Sequence, residues 1–398
     1  MRRTRAGRGL GLDQQGGVAV LVALAMIPLL GMVGLALDGA NAYVERSRLS
    51  RALDAAVLAA AKALRDGEDA ALQEAFAVAA ANGVIQGAGG VSLSLVFGAN
   101  AEGENTVSMS GSVPVPVFFM RVLGYEQLTV ATESEATIPP IDLVLVIDRS
   151  GSLATQNAWV PLQNAAIQFV QFFDDDVDQL GLVSFQVRAE NEFLLDGAFS
   201  APVEAAIGAM NSAGDTNTGE GLRLAYEQFQ LPAVRPGASK VVVFFTDGRP
   251  TAFRGELNGS DRVMAVDPSI QHYIRGYFDN PDALPMDQLA TPDGCVFQPT
   301  CFGWDENAAR TQARQTGLSV ANQIRNEGIY IFTIALGNPG ASDPMLVPDM
   351  AYLQQLANVG GSVNLNQPQG QSYFAPSATE LAAVFKTLAE DLLVRLSR

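Results

Sequence analysis

Four hydrophobic patterns follow one another along the chain, and each predicts a different kind of element. Residues 16–37, "GGVAVLVALAMIPLLGMVGLAL", are apolar and carry no charge. About 20 apolar residues at about 1.5 Å each span the hydrocarbon core of a bilayer, and a helix satisfies its own backbone there. Pro28 adds at most a kink. From Tyr43 to Asn82 the chain turns alanine-rich and helical, with Leu49, Leu53, Val57 and Leu64 as an apolar stripe and a break near Asp66-Gly67. The membrane helix is expected to continue outward as a stalk. Residues 91–138 switch to period two: "VSLSLVF", "TVSMSGSVPVPVFF" and "QLTVATESEAT" alternate apolar with small polar positions, which predicts half-exposed strands of a small antiparallel sheet. Pro114 and Pro116 assign their strand to an edge or a bulge.

Pro139-Pro140 marks a boundary, and beyond it strands alternate with helices. "IDLVLVI", "QLGLVSF", "KVVVFFT" and "IYIFTIAL" are near-continuous apolar runs, as strands of a parallel sheet covered on both faces must be. "PLQNAAIQFVQFF" places Leu162, Ala166, Phe169 and Phe173 on one helical face. The last helix reads as opening on a capping box, Ser377-Ala-Thr-Glu380, before burying Leu381, Val384, Phe385, Leu388 and Leu392. The expected fold class is α/β: a doubly wound, mostly parallel sheet with helices on both faces. The chain then divides into a basic tail (1–15), a transmembrane helix (16–37), a helical stalk with a small antiparallel sheet (38–138), and the α/β domain (139–398) with an insertion at 249–305.

Charge refines the topology. Arg2, Arg3, Arg5 and Arg8 precede the apolar run, while Arg46, Arg48 and Arg51 lie beyond it, so the bias toward a cytoplasmic N-terminus is slight. A cleaved signal peptide also begins with basic residues, but its apolar core is shorter, and no small-x-small site closes this one. The reading is a single-pass anchor with the bulk extracytoplasmic, periplasmic or at the cell surface. Cys295 and Cys301 flank "VFQPT"; a disulfide-closed loop in an oxidising compartment is one reading of the pair, and two free thiols are the other. A formal charge of −17 argues against a nucleic-acid partner, whose phosphates demand Lys and Arg.

The candidate chemistry lies where the strands of such a sheet end. "DRSGS" supplies Asp148, Ser150 and Ser152 in a turn leaving the first strand, with Gly151 permitting a tight path. "GDTNTGEGL" offers Asp215, Thr216 and Thr218 before a helix, and "FFTDG" ends its strand on Thr246, Asp247 and Gly248. Carboxylates and hydroxyls without Cys or His are hard-oxygen donors. They suit Mg²⁺, Ca²⁺ or Mn²⁺ and not zinc. An acidic group of a partner could complete the coordination.

These three segments, in this order, resemble the metal-ion-dependent adhesion site of von Willebrand factor type A domains. The resemblance covers residues 141–398. It implies Ser150, Ser152 and Thr216 as direct ligands, with Asp148 and Asp247 bonding the metal directly or through water, and Mg²⁺ as the leading ion. Asp215 stands where such domains often have glycine, and with Thr218 it is a secondary candidate. The N-terminal segment is similar to that of TadG-like proteins of the Tad (Flp) pilus system, where such a helix precedes a small αβ region and often a von Willebrand A domain. Pseudopilins of that system carry a glutamate five residues after the cleavage glycine; here Val22 stands at that place after Gly17, which argues against prepilin-type processing.

No catalytic residue is assigned. His272 is the one histidine, and the sequence contains neither a G-x-S-x-G elbow nor a phosphate-binding G-x-x-x-x-G-K-[ST] loop. The expected function is a membrane-anchored, metal-dependent binding module that grips a protein through an acidic side chain, a pilus component being one such partner. The alternatives are a scaffold acting with a separate ATPase, and a metal-dependent hydrolase. Residues 249–305 hold His272, Tyr273, Tyr277, Trp304 and the cysteine pair. They read as a long connection that either forms a rim choosing the partner or decorates the surface.

Overall fold

The computed structural model describes the chain apart from residues 1–13, 65–66, 101–103, 258–259, 267–273, 279–305, 338–346, 362 and 396–398. The cysteine pair, His272, Tyr273 and Trp304 lie outside the described residues. Two compact units follow one another, Met1–Ile138 and Pro139–Arg398.

The first unit begins with α1 (Gln14–Ala63), an unbroken helix with Pro28 inside it, and continues through α2 (Glu68–Ala81). Its antiparallel sheet is β1 (Ser92–Ala99), β2 (Asn105–Pro116) and β3 (Gln127–Ile138), in that spatial order. The helix changes character along its length. Between Leu21 and Leu37 its large apolar side chains are exposed, and the helix from Leu21 to Ala63 is long and apolar enough to cross a membrane. Further on, Leu49, Ala52, Leu53, Ala56, Val57 and Ala60 recur at helical spacing and are buried. They share a core with Ala71, Ala75 and Ala79 of α2 and with Leu93, Val107 and Met109 of the sheet. Alanine at each buried position of α2, Ala71, Ala75 and Ala79, lets it lie close along α1, so the second helix folds back on the first instead of lengthening it.

The proline-bearing strand is β2, and it is central, not an edge. The reason is register. The pairing of β1 with β2 ends at Ser92 opposite Ser112, whereas β3 continues opposite Pro114 and Pro116 to Gln127. The prolines occupy a two-stranded tail, where one side of the strand needs no N–H donors.

The second unit opens on β4 (Ile141–Asp148), α3 (Gly151–Thr155), α4 (Trp159–Val170), β5 (Gln179–Phe185), β6 (Ala189–Asp196) and α5 (Ser200–Ala209). It continues through α6 (Thr218–Gln228), β7 (Ser239–Thr246), β8 (Ala252–Leu257), β9 (Ser260–Val266) and β10 (Ile274–Phe278). Then come α7 (Glu306–Asn326), β11 (Tyr330–Leu336), α8 (Met350–Leu356), β12 (Ser372–Ala375) and α9 (Leu381–Arg395). The main sheet has the order β12-β11-β7-β4-β5-β6, parallel except for the antiparallel edge strand β6. Alternate residues of β4 feed the two faces. Leu143, Leu145 and Ile147 pack with α4, α5 and α9, while Val144 and Val146 pack with α6, α7 and α8. This is the doubly wound α/β fold that the apolar runs predict.

Two further expectations need correction. Part of 249–305 is not a loop: β8, β9 and β10 form their own antiparallel sheet, in the order β10-β9-β8, and Ala252, Val263 and Ala265 bury against Val187. Nor does Ser377 cap α9, because its hydroxyl pairs with the Thr379 hydroxyl and a 3-10 turn over Ala378–Glu380 intervenes before the helix.

Candidate metal centre

β4 is the sheet's turning point. The chain leaves it to one side for β5 and returns to its other side as β7. A crevice therefore opens at the carboxyl ends of β4 and β7, where such sheets hold their ligands. Asp148 ends β4, and Thr246 ends β7 with Asp247 next in the chain.

Backbone bonds between loops fix the crevice. The Arg149 N–H donates to Phe185 O at 2.8 Å, the Ala213 N–H to Arg149 O at 2.7 Å, and the Gly151 N–H to Gly214 O at 3.0 Å. A Cβ on Gly151 would stand 3.5 Å from Gly214 O, an ordinary contact, whereas Gly214 itself needs its positive φ of 81°. Asn217 then caps α6: its side chain accepts from the Glu220 N–H at 3.3 Å and donates to Val187 O at 2.9 Å.

The oxygen group is compact. Asp148 accepts from the Ser150 N–H at 2.8 Å and from the Thr246 hydroxyl at 2.6 Å. Asp247 accepts from the Ser152 hydroxyl at 2.9 Å and from the Gln156 amide at 2.8 Å. The two serine hydroxyls are 3.0 Å apart, and Ser150 Oγ lies 3.5 Å from Asp247 Oδ1. Asp148, Ser150, Ser152 and Asp247 are thus brought together.

Thr216 joins them from the second loop. Its N–H donates to the Thr251 hydroxyl at 2.8 Å, and its carbonyl accepts from the Thr251 and Ala252 N–H groups. Its hydroxyl oxygen would stand 3.7 Å from a Cβ on Gly248, which puts it beside the Asp247–Gly248 turn. Thr218 points elsewhere: its hydroxyl is bonded to the buried Tyr352 hydroxyl at 2.7 Å. Asp215 is half-buried on the same loop. Gln156 and Thr251 were not foreseen, and no sequence signal announces either. One is the residue that follows the short helix α3 as its C-cap, and the other is fixed by where β8 begins.

The electrostatics are unusual. Asp148 is 0% exposed and Asp247 is 1% exposed, and no Lys or Arg among the described residues forms an ion pair with either. Burial raises the pKa of both carboxyls, and for Asp247 the nearby Asp148 raises it further, against the hydroxyl and N–H bonds that lower it. Burial and mutual repulsion make these two carboxylates readier than ordinary ones to take up a proton or a cation. The donor set fits a hard divalent cation: two carboxylates and three hydroxyls, all oxygen. Among the described residues no three His, Cys, Asp or Glu side chains gather at one place, so hydroxyls must supply much of any coordination here.

Comparison with known proteins agrees with this architecture. The model of the von Willebrand factor type A domain matches residues 142–303, and that of the Flp pilus-assembly TadE/G-like family matches residues 16–63. Among curated relatives, the uncharacterized protein YfbK of Escherichia coli (strain K12) is 26% identical over 34% of this chain and 23% of its own length. The von Willebrand factor A domain-containing protein 2 of Xenopus laevis is 34% identical over 28% of this chain and 15% of its own length. The chain therefore spans less than a quarter of each of these two relatives. Solved structures with a similar fold include the vWF domain of the type V pili tip protein Mfa5 from Porphyromonas gingivalis (TM-score 0.46, 17% identity, 66% of this chain and 98% of that one). Another is the PilB minor pilin from Streptococcus sanguinis (TM-score 0.43, 16% identity, 77% of this chain and 79% of that one).

Proposed function

From a chain that joins a von Willebrand factor type A domain to a Flp pilus-assembly TadE/G-like segment, we propose a membrane-anchored binding module that works in Tad/Flp pilus assembly or surface attachment. Its grip is metal-dependent. Ser150, Ser152 and Thr216 would hold a divalent cation directly, Mg²⁺ foremost, with Asp148 and Asp247 bonding it directly or through water. The observation that carries this reading is the pair of buried carboxylates, Asp148 and Asp247, with hydroxyls bonded to them and no ion pair to either among the described residues.

Bound there, the cation supplies an electrophilic point at the mouth of the crevice, able to accept an acidic side chain from a partner protein. The chain's own residues do the rest. Thr246 and the Ser150 N–H hold the Asp148 carboxylate still, and Gln156 holds Oδ2 of Asp247. Preorganised donors of this kind cost nothing further when the ion enters. β8 starts at the Thr216 loop, where the Thr251 and Ala252 N–H groups bond to Thr216 O. The inserted sheet is therefore rooted at the same place and forms the rim that selects the partner. The apolar helix anchors the module, with its N-terminus in the cytoplasm and the α/β unit outside it. The role is binding and not catalysis.

The test is made in cells that lack the native chain and express it with Asp247→Ala. At wild-type abundance in the membrane fraction, the variant should lose pilus assembly or surface attachment, as should wild-type cells depleted of divalent cations. Normal piliation and attachment in both would defeat the metal-dependent reading.

A further inference from the structure

The first unit carries an apolar surface that the helix alone does not account for. Between β2 and β3 the chain makes a short loop, residues 117–125, "VFFMRVLGY", with a 3-10 turn over Met120–Leu123. Its large apolar side chains turn outward: Val122 is 88% exposed, Phe118 71%, Leu123 66% and Tyr125 55%. Soluble surfaces scatter such residues singly, and a contiguous group marks an interaction site.

What the loop is fastened to says what covers it. From Leu21 to Ala40 the buried positions of α1 are Gly34 and Asp38, one helical turn apart on one face. Asp38 closes the apolar run, and its carboxylate accepts three backbone N–H groups from the loop, those of Phe118 at 2.9 Å, Phe119 at 2.9 Å and Met120 at 2.8 Å. A carboxylate beside an apolar run is costly unless it is bonded, and this one is bonded three times. Gly34 accepts the ring of Phe119 against the helix backbone; a Cβ there would stand 2.5 Å from Phe119 Cγ. Gly34 lies three residues before Leu37, the last apolar residue of the run, or about 5 Å along the axis at about 1.5 Å per residue. The loop is therefore held level with the end of the span, not beyond it.

We propose that this loop is a second membrane-contacting element: Phe118, Phe119, Val122 and Leu123 enter the lipid interface beside the span, with Tyr125 and Arg121 at headgroup level. The inference rests on the reading of α1 as a membrane anchor. Its occupant is lipid, because the exposed apolar set is continuous with the stretch of helix that the bilayer would cover, and Arg121 is its only charge. Asp38 and Gly34 act as the clasp. They turn a single helix, free to slide and tilt, into a two-point footing that fixes the depth and rotation of the anchor.

The test places single tryptophans in the full chain after replacing Trp159 and Trp304 with Phe, and reconstitutes it in vesicles of ordinary or brominated phosphatidylcholine. Leu30→Trp reports the span, Val122→Trp the loop, and Val160→Trp an exposed site of the second unit. Brominated lipid should quench Leu30→Trp and Val122→Trp by about two-fold or more and leave Val160→Trp unchanged. Adding Asp38→Ala to Val122→Trp should return its fluorescence toward the unquenched level, with the circular dichroism of the chain preserved. Quenching of Leu30→Trp without quenching of Val122→Trp would overturn the proposal while leaving the anchor standing, and would give the loop to a protein contact instead. No quenching of Leu30→Trp would remove the anchor itself and the proposal with it. Equal quenching of Val122→Trp with and without Asp38 would overturn the role of the clasp.

Discussion

The strand β4 bears a buried aspartate near each end, and the two are treated in opposite ways. Asp142, at the entry, is 0% exposed and fully provided for. Its carboxylate accepts from Arg235 Nε at 2.9 Å and Nη2 at 2.6 Å, and from the Arg235 N–H at 3.0 Å. Nearby, Asp178 accepts from the Ile141 N–H. Asp148, at the exit, is just as buried, but its neighbours are neutral donors and a second carboxylate, Asp247. Burying a charge is tolerated where a countercharge comes with it. At one end of the strand the countercharge is built into the chain. At the other the described residues provide none, which makes that aspartate the candidate for binding a cation.

The largest effect is expected when the entry is made to resemble the exit. Arg235→Ala leaves Asp142 without its cation, and denaturant unfolding should show a loss of about 2–3 kcal/mol. That is less than the ~3–5 of a fully buried pair, because Arg235 is about one-third exposed. Added Mg²⁺ should not restore it. At the exit the effect should run through the cation. Mg²⁺ at about 100 times its dissociation constant should raise stability by about 2.7 kcal/mol in the native chain and by nothing in Asp247→Ala.

A smaller change sharpens the same contrast. Asp247→Asn keeps the shape of the side chain and removes the repulsion with Asp148, so in chelator the variant should be more stable than the native chain by about 1 kcal/mol. Its Mg²⁺ response should nonetheless be lost, as thermal melts with and without the ion would show. Thr218→Val should cost about 1 kcal/mol by orphaning the Tyr352 hydroxyl, and it should leave the cation response intact. A lost response there would return Thr218 to the ligand set. Least of all, Ser377→Ala should shift stability by less than about 0.5 kcal/mol, where a working N-cap would be worth about 1, because Ser377 bonds Thr379 and not the helix.

Much of this was legible in the sequence, for a physical reason. A strand buried on both faces must be apolar throughout, so β4, β5, β7 and β11 announce themselves as runs, and short polar loops at their ends carry the oxygen donors. Asp148, Ser150, Ser152 and Asp247 could be named before their geometry was known. What escaped was whatever depends on a partner far away in sequence. Asp38 bonds a loop some 80 residues on, and Thr251 finds Thr216 only because of where β8 starts. Thr218 looked like a donor for the crevice until Tyr352 of α8 claimed its hydroxyl. Pro114 and Pro116 signalled an edge correctly in kind but not in place: the edge is the tail of a central strand, set by where β1 stops. Ser377 shows the limit of a local motif, since a capping box requires a helix to start on it, and here a 3-10 turn comes first.

The contrast between the two ends of β4 turns on whether its exit recruits a cation. Calorimetric titration of Mg²⁺ into the detergent-solubilised full chain, beside Asp247→Ala and Ser150→Ala, tests this directly. Saturable one-site binding in the native chain, abolished by Asp247→Ala and weakened by Ser150→Ala, is the predicted result. Binding of equal strength in all three, or none in the native chain, would contradict it.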